Sequence, residues 1–99
     1  MKLESKFYNE LKRITPKIRW TRLENTSVLG TPDLLGYNIH QHFFTVELKV
    51  TKTNKVRLSP HQISFHVLHP ENAFILVKTK AACRLYLGKQ VRELFACGL

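Results

Sequence analysis

The chain is short of acid, nearly without cysteine, and has no long apolar run. Asp and Glu number seven against sixteen Lys and Arg, a formal charge of +9. So basic a chain favours a polyanionic partner, with nucleic acid first among them. The basic residues are spread along the chain, and no tail carries them. Cys83 and Cys97 are too few and too far apart for a zinc site. They are expected to be buried thiols of a reducing compartment. No segment approaches the ~20 apolar residues that cross a bilayer. The opening "MKLESKFYNELKR" is charged throughout and lacks the apolar core of a secretory signal. A cytoplasmic location without membrane contact is therefore expected. No repeat, low-complexity tract or linker is present. What remains is 99 residues, 43% of them hydrophobic, enough for one modest core and a single domain over residues 1–99.

Periodicity predicts the order α-β-β-β-α-β-β-α. Over residues 3–14 a helical wheel places Leu3, Phe7, Leu11 and Ile14 within about 80° of one another, with Tyr8 near 140°. Glu4 falls near 100°, inside this apolar arc, and Glu10 near −20°, at its border. A carboxylate in a buried arc is costly unless something pairs with it. Glu4 therefore needs a partner. "TPK" (15–17) ends the helix, "IRWTRLEN" (18–25) has strand character, and "TSVLGTP" (26–32) is a loop. "DLLGYNI" and "FFTVELKV" read as two strands joined by a turn at His40–His42. In "LSPHQ", Ser59 as N-cap, Pro60 and Gln62 form a capping-box pattern. That helix should run from about 60 to 68 and stop before Pro70. "AFILVKT" (73–79) and "CRLYLG" (83–88) read as strands, and "QVRELFA" (90–96) as a terminal helix. A mixed central sheet flanked by helices is the expected α/β architecture.

Strand alternation puts Phe44, Val46, Leu48 and Val50 on one face, and Thr45, Glu47 and Lys49 on the other. Glu47 and Lys49 thus project together, roughly 6.5–7 Å apart along the strand. Asp33 opens the preceding strand, where the hairpin can bring it beside Glu47. Two carboxylates that close would not both stay ionised without a cation. Lys49 could neutralise one, and a hard divalent ion could hold both. Such an ion polarises a phosphate and acidifies bound water, and an ammonium alongside orients that water or offsets charge on phosphorus. The constellation suits hydrolysis of a phosphodiester.

Glu4 in the first helix, "GTPD" ending in Asp33, "ELK" and the "LSPHQ" helix, in that order, resemble the PD-(D/E)xK nucleases. Within these the chain looks like the VRR-nuclease branch and the small Holliday junction resolvases, over residues 3–80. The resemblance implies a restriction-endonuclease-like core and a Mg²⁺ cofactor, with Mn²⁺ as a substitute. It implies that Asp33, Glu47 and the Leu48 carbonyl ligate the metal, with Glu4 completing the cluster directly or through a water. Lys49 would position or activate the attacking water, and Gln62 would reach the site from the second helix. Glu10 competes with Glu4 as the helix acid.

Lys52, Lys55 and Arg57 follow the "ELK" strand in a polar loop, and Arg22, Asn25 and Ser27 precede "GTPD". Both sets are candidates for phosphate contacts, which fix register without reading sequence. No acid-rich set completes a metal site around His40, His42, His61, His66 or His69, so these read as solvated or phosphate-facing. Trp20 reads as core. The resulting expectation is a metal-dependent endonuclease of branched or double-stranded DNA, above all of four-way junctions, acting as a homodimer in recombination and repair. Nicking of flaps, forks or duplex is the alternative specificity. A non-catalytic DNA-binding module that keeps the fold is the alternative class.

Overall fold

The structure, a computed structural model, describes residues 3–23 and 30–99. Helix α1 (Leu3–Ile14) leads into strands β1 (Arg19–Arg22), β2 (Leu34–Tyr37) and β3 (Phe43–Val50). Helix α2 (Pro60–Leu68), strands β4 (Ala73–Lys78) and β5 (Cys83–Leu87), a turn of 3₁₀ helix and α3 (Val91–Cys97) follow. The five strands lie side by side in chain order. Only β3 and β4 are parallel. A parallel pair needs a long crossover, and the segment carrying α2 provides it. The expected element order and mixed sheet are both present.

Asn38 makes the β2–β3 hairpin close tightly. Its Oδ1 accepts the His40 and His42 amides at 3.0 and 3.1 Å, and Gln41 takes the left-handed conformation at φ 64°. The tight turn sets the register, which pairs Leu34 with Val46 and Gly36 with Phe44. Continued by one residue, it stands Asp33 opposite Glu47. Gly30, with φ 83°, lets the loop before Asp33 pass against α2, where an added Cβ would meet the His61 carbonyl at 2.4 Å.

Both faces of the sheet are covered. Under α1, Phe7, Tyr8 and Leu11 pack on Leu34, Val46 and Leu48. On the opposite face Val56, Leu58, Ile75, Val77, Val91 and Leu94 form a second cluster beneath α2 and α3. The face that bears Glu47 is thus core as well, which is why β4 is apolar at every position but its last. Trp20 packs against the first cluster, and its Nε1 donates to Thr15 Oγ1 at 2.8 Å.

Three expectations fail. Leu3 and Ile14 are 58% and 60% exposed: α1 crosses the sheet by its middle and both ends overhang, so the buried stripe is shorter than the wheel implied. Cys83 and Cys97 are exposed, one opening the edge strand β5 and the other in the last turn of α3. His66 is fully buried. Its Nδ1 donates to the Gln62 carbonyl at 2.8 Å, so it belongs to the α2 core contact, and burial keeps its pKa low.

Candidate active site

The site forms where β2 ends before β3 does. Alternate residues of a central strand address opposite neighbours. Thr45 and Thr51 donate to the β4 side, to the carbonyls of Asn72 and Lys78. Leu48 therefore turns its N–H and its C=O to the β2 side, beyond the last β2 pair at Leu34–Val46. Asp33 Oδ2 accepts the stranded Leu48 N–H at 2.8 Å. One carboxylate oxygen thus completes the sheet edge and fixes the side chain beside Glu47.

Glu47 is 3% exposed. Its Oε2 accepts from Gln62 Nε2 at 3.2 Å and lies 3.9 Å from Lys49 Nζ. Its Oε1 is buried without a hydrogen-bond partner among the described residues. Burial, followed by the charge and proximity of Asp33, pushes the Glu47 carboxyl up to about 9, against the smaller opposing pull of Lys49. As two carboxylates the pair has only acceptors facing each other; a shared proton, or a cation, relieves this.

Gln62 holds the pieces together. Its Oε1 accepts from Lys49 Nζ at 3.1 Å and from the Ser59 N–H at 2.9 Å, while Ser59 Oγ accepts the Gln62 N–H at 3.1 Å. Both groups meeting Oε1 are donors, so the amide can face only one way, with its NH₂ toward Glu47. The capping box and the site contact are made by the same side chain.

Glu4 is exposed yet close enough for its charge to raise the Glu47 carboxyl further. With Lys49, Lys52, Lys55 and Arg57 it lines a groove of ≈500 Å³ beside the strand end. Glu10 turns away to an ion pair with Lys78 at 2.6 Å. Among the described residues no three His, Cys, Asp or Glu side chains are grouped to hold an ion together; Asp33 and Glu47 form a pair, with Glu4 farther out. The Arg22 guanidinium lies over the Tyr8 ring, 5.3 Å from its centroid. Asn25 and Ser27 lie outside the described residues.

The donor set fits a hard divalent cation: a buried carboxylate with one oxygen that meets no donor among the described residues, a second carboxylate fixed beside it, and a main-chain carbonyl past the ladder. Mg²⁺ sites commonly use one or two carboxylates and fill the remaining positions with water and phosphate. Phe95 of α3, which the sequence reading passed over, is 54% exposed and shares a second groove with Lys49 and Gln62. Its only sequence signal was a Phe one step off the Val91–Leu94 stripe.

Among the described residues no helix is long and apolar enough to cross a membrane. No protein-family model and no curated protein matches the chain. Among solved structures it is similar to Hjc, a Holliday junction resolvase from the archaeal hyperthermophile Archaeoglobus fulgidus. The TM-score is 0.68 at 19% identity, over 87% of this chain and 78% of that one. At that identity the likeness is one of fold: the chain has the restriction-endonuclease-like architecture of this resolvase, a mixed five-stranded sheet between helices.

Proposed function

We propose that the chain is a Mg²⁺-dependent endodeoxyribonuclease of PD-(D/E)xK type, from the VRR-nuclease branch, which resolves four-way DNA junctions as a homodimer. The observation that carries this reading is the buried Glu47, whose Oε1 meets no donor among the described residues and whose carboxyl lies against that of Asp33, flanked by Lys49. A structural ion pair would have satisfied that oxygen; a metal ligand leaves it open.

Asp33, Glu47 and the Leu48 carbonyl would hold the ion, with Glu4 completing the acidic cluster. When bound, the ion supplies Lewis-acid polarisation of the phosphate and a more acidic water. Gln62 restrains Glu47 Oε2 and the Lys49 ammonium together. Lys49 is thereby set to orient the attacking water and to offset charge building on phosphorus. Lys52, Lys55, Arg57 and Arg22, all exposed, contact phosphates around this point. The same role for Asn25 and Ser27 rests on the sequence alone.

The resolvase similarity supports a junction as substrate. The test is a labelled four-way junction beside flaps, forks and linear duplex of the same sequences in Mg²⁺ or Mn²⁺. Preferential cutting of the junction is expected; an intact junction with freely cut duplex would refute the assignment.

The dimer is supported by an apolar groove of ≈370 Å³ on the α1 side of the sheet, between Trp20, Phe44, Phe74, Leu76 and Leu85. Among the described residues no Lys, Arg, Asp or Glu lines it, so in a chain of +9 it is a poor surface for DNA. Leu85 and Ile14 are each 60% exposed. A second copy related by a two-fold axis suits it, because two sites can then nick two strands of a two-fold junction. Wild type should sediment as a dimer, and Leu85→Asp as a folded monomer. A monomeric wild type would remove this part of the reading.

A further inference from the structure

The groove that Lys49 and Gln62 share with Phe95 measures ≈840 Å³, within the range of about 300–1,000 Å³ typical of small-molecule pockets. The proposed chemistry uses only its inner end. One wall is the loop after β3, with Lys55 and Arg57; the other is α3 and the residues that close it. Val91 and Leu94 anchor α3 in the second core cluster, which leaves Phe95, one residue on, facing outward. The wall is held in place. Gly98, at φ 77°, donates to the Leu94 carbonyl at 2.9 Å, and the Leu99 N–H donates to the Asn54 carbonyl at 2.7 Å. A Cβ at Gly98 would come within 2.3 Å of that carbonyl oxygen.

Phe95 makes no ring pair with any aromatic side chain among the described residues, unlike Phe43, Phe44, Phe65 and Phe74. A half-exposed aromatic ring on an anchored wall, in a groove with two cations leading from Lys49, matches the parts of a single-strand binding channel: a stacking platform and a positive track.

We propose that this groove receives an unpaired nucleotide next to the scissile phosphate, with its base stacked on Phe95 and its phosphate held by Lys55 and Arg57. The proposal rests on the nuclease reading and deepens it by naming how a branch is told from a duplex. A base inside a duplex must be unstacked before it can enter, and the cost is least where pairing is already broken. Phe95 thus turns local unpairing into affinity.

The test compares two DNA duplexes of one sequence, fully paired or carrying a single unpaired nucleotide. Binding to each is measured by fluorescence anisotropy with Lys49→Ala protein, which slows cutting, and with Lys49→Ala/Phe95→Ala protein. Base–aromatic stacking is worth on the order of 5- to 150-fold in affinity. Loss of Phe95 should weaken binding to the unpaired substrate by that factor and binding to the paired duplex by less than about 2-fold. Phe95→Trp should retain the preference and Phe95→Leu should lose it. Equal weakening on both DNAs, no weakening on either, or an undiminished preference in Phe95→Leu overturns the proposal. Failure of the nuclease reading appears elsewhere, as the absence of any cut by wild type in Mg²⁺ or Mn²⁺. Wild type that cuts branched DNA while Phe95→Ala binds it equally well removes the groove alone.

Discussion

Lys49→Ala protein is expected to cut branched DNA about 10²–10⁴-fold more slowly than wild type while binding it with nearly unchanged affinity. The split follows from where the ammonium sits. It is held by Gln62 at 3.1 Å, beside Glu47 and only partly exposed, so it contributes little to the exposed basic surface that attracts DNA. Affinity comes instead from the many phosphate contacts of a chain with +9 charge. Asp33→Asn should behave alike in cleavage, because it removes a ligand charge while its side-chain oxygen can still accept the Leu48 N–H. Single-turnover cleavage and equilibrium binding, run on one junction with all three proteins, separate chemistry from attachment. Unchanged cleavage in both variants would remove the site assignment, and binding without cleavage by all three proteins would leave a DNA-binding module that keeps only the fold.

Glu47→Gln is expected to do two opposite things: abolish cleavage and make the metal-free protein more stable at neutral pH. The folded carboxyl is pushed up to about 9 by burial and by Asp33, whereas in the unfolded chain it ionises near its ordinary value. Between those limits the folded state keeps a proton that the unfolded state has lost. Unfolding free energy therefore falls as pH rises across that window, by at most about 1.4 kcal/mol per pH unit for one proton. The stability this group contributes is complete below the unfolded value and is lost as pH climbs toward 9. At pH 7 the deficit reaches up to about 3 kcal/mol, and a neutral amide removes it. In a domain of this size each kcal/mol moves the Tm by about 4–8 °C. Thermal melts of both proteins from pH 5 to 9 in a chelator should converge at the acid end and separate above it. Mg²⁺ should raise the wild-type Tm, since binding to the folded state stabilises it, and should do so far less for Glu47→Gln. Parallel melting curves across the whole range would show that Glu47 is not the strained group proposed.

Strain of this kind is the usual cost of a site, since a side chain poised for a ligand is rarely the one that best stabilises the empty protein. Local pattern reached Asp33, Glu47 and Lys49 because strand alternation and a short hairpin have little geometric freedom. Given "DLLGYNI", a turn at His40–His42 and "FFTVELKV", the two acids can hardly avoid facing each other. Pattern also found Ser59 and Gln62, whose spacing is set by the first turn of a helix. The wheel of α1, by contrast, could rank Glu4 and Glu10 only by angle; the choice between them fell to Lys78, 68 residues downstream of Glu10, which draws that carboxylate away.

Short-range chemistry in the chain thus decided the order of elements, the hairpin pairing and the identity of the charged trio, because each depends on neighbours within a turn or a strand. Three-dimensional packing decided the rest. Only when α2 and α3 close over the second face of the sheet does Glu47 become buried, does Gln62 bridge it to Lys49, and does Phe95 come to stand at the mouth of the groove. Desolvation depends on everything that surrounds an atom, and most of what surrounds Glu47 lies far from it in sequence.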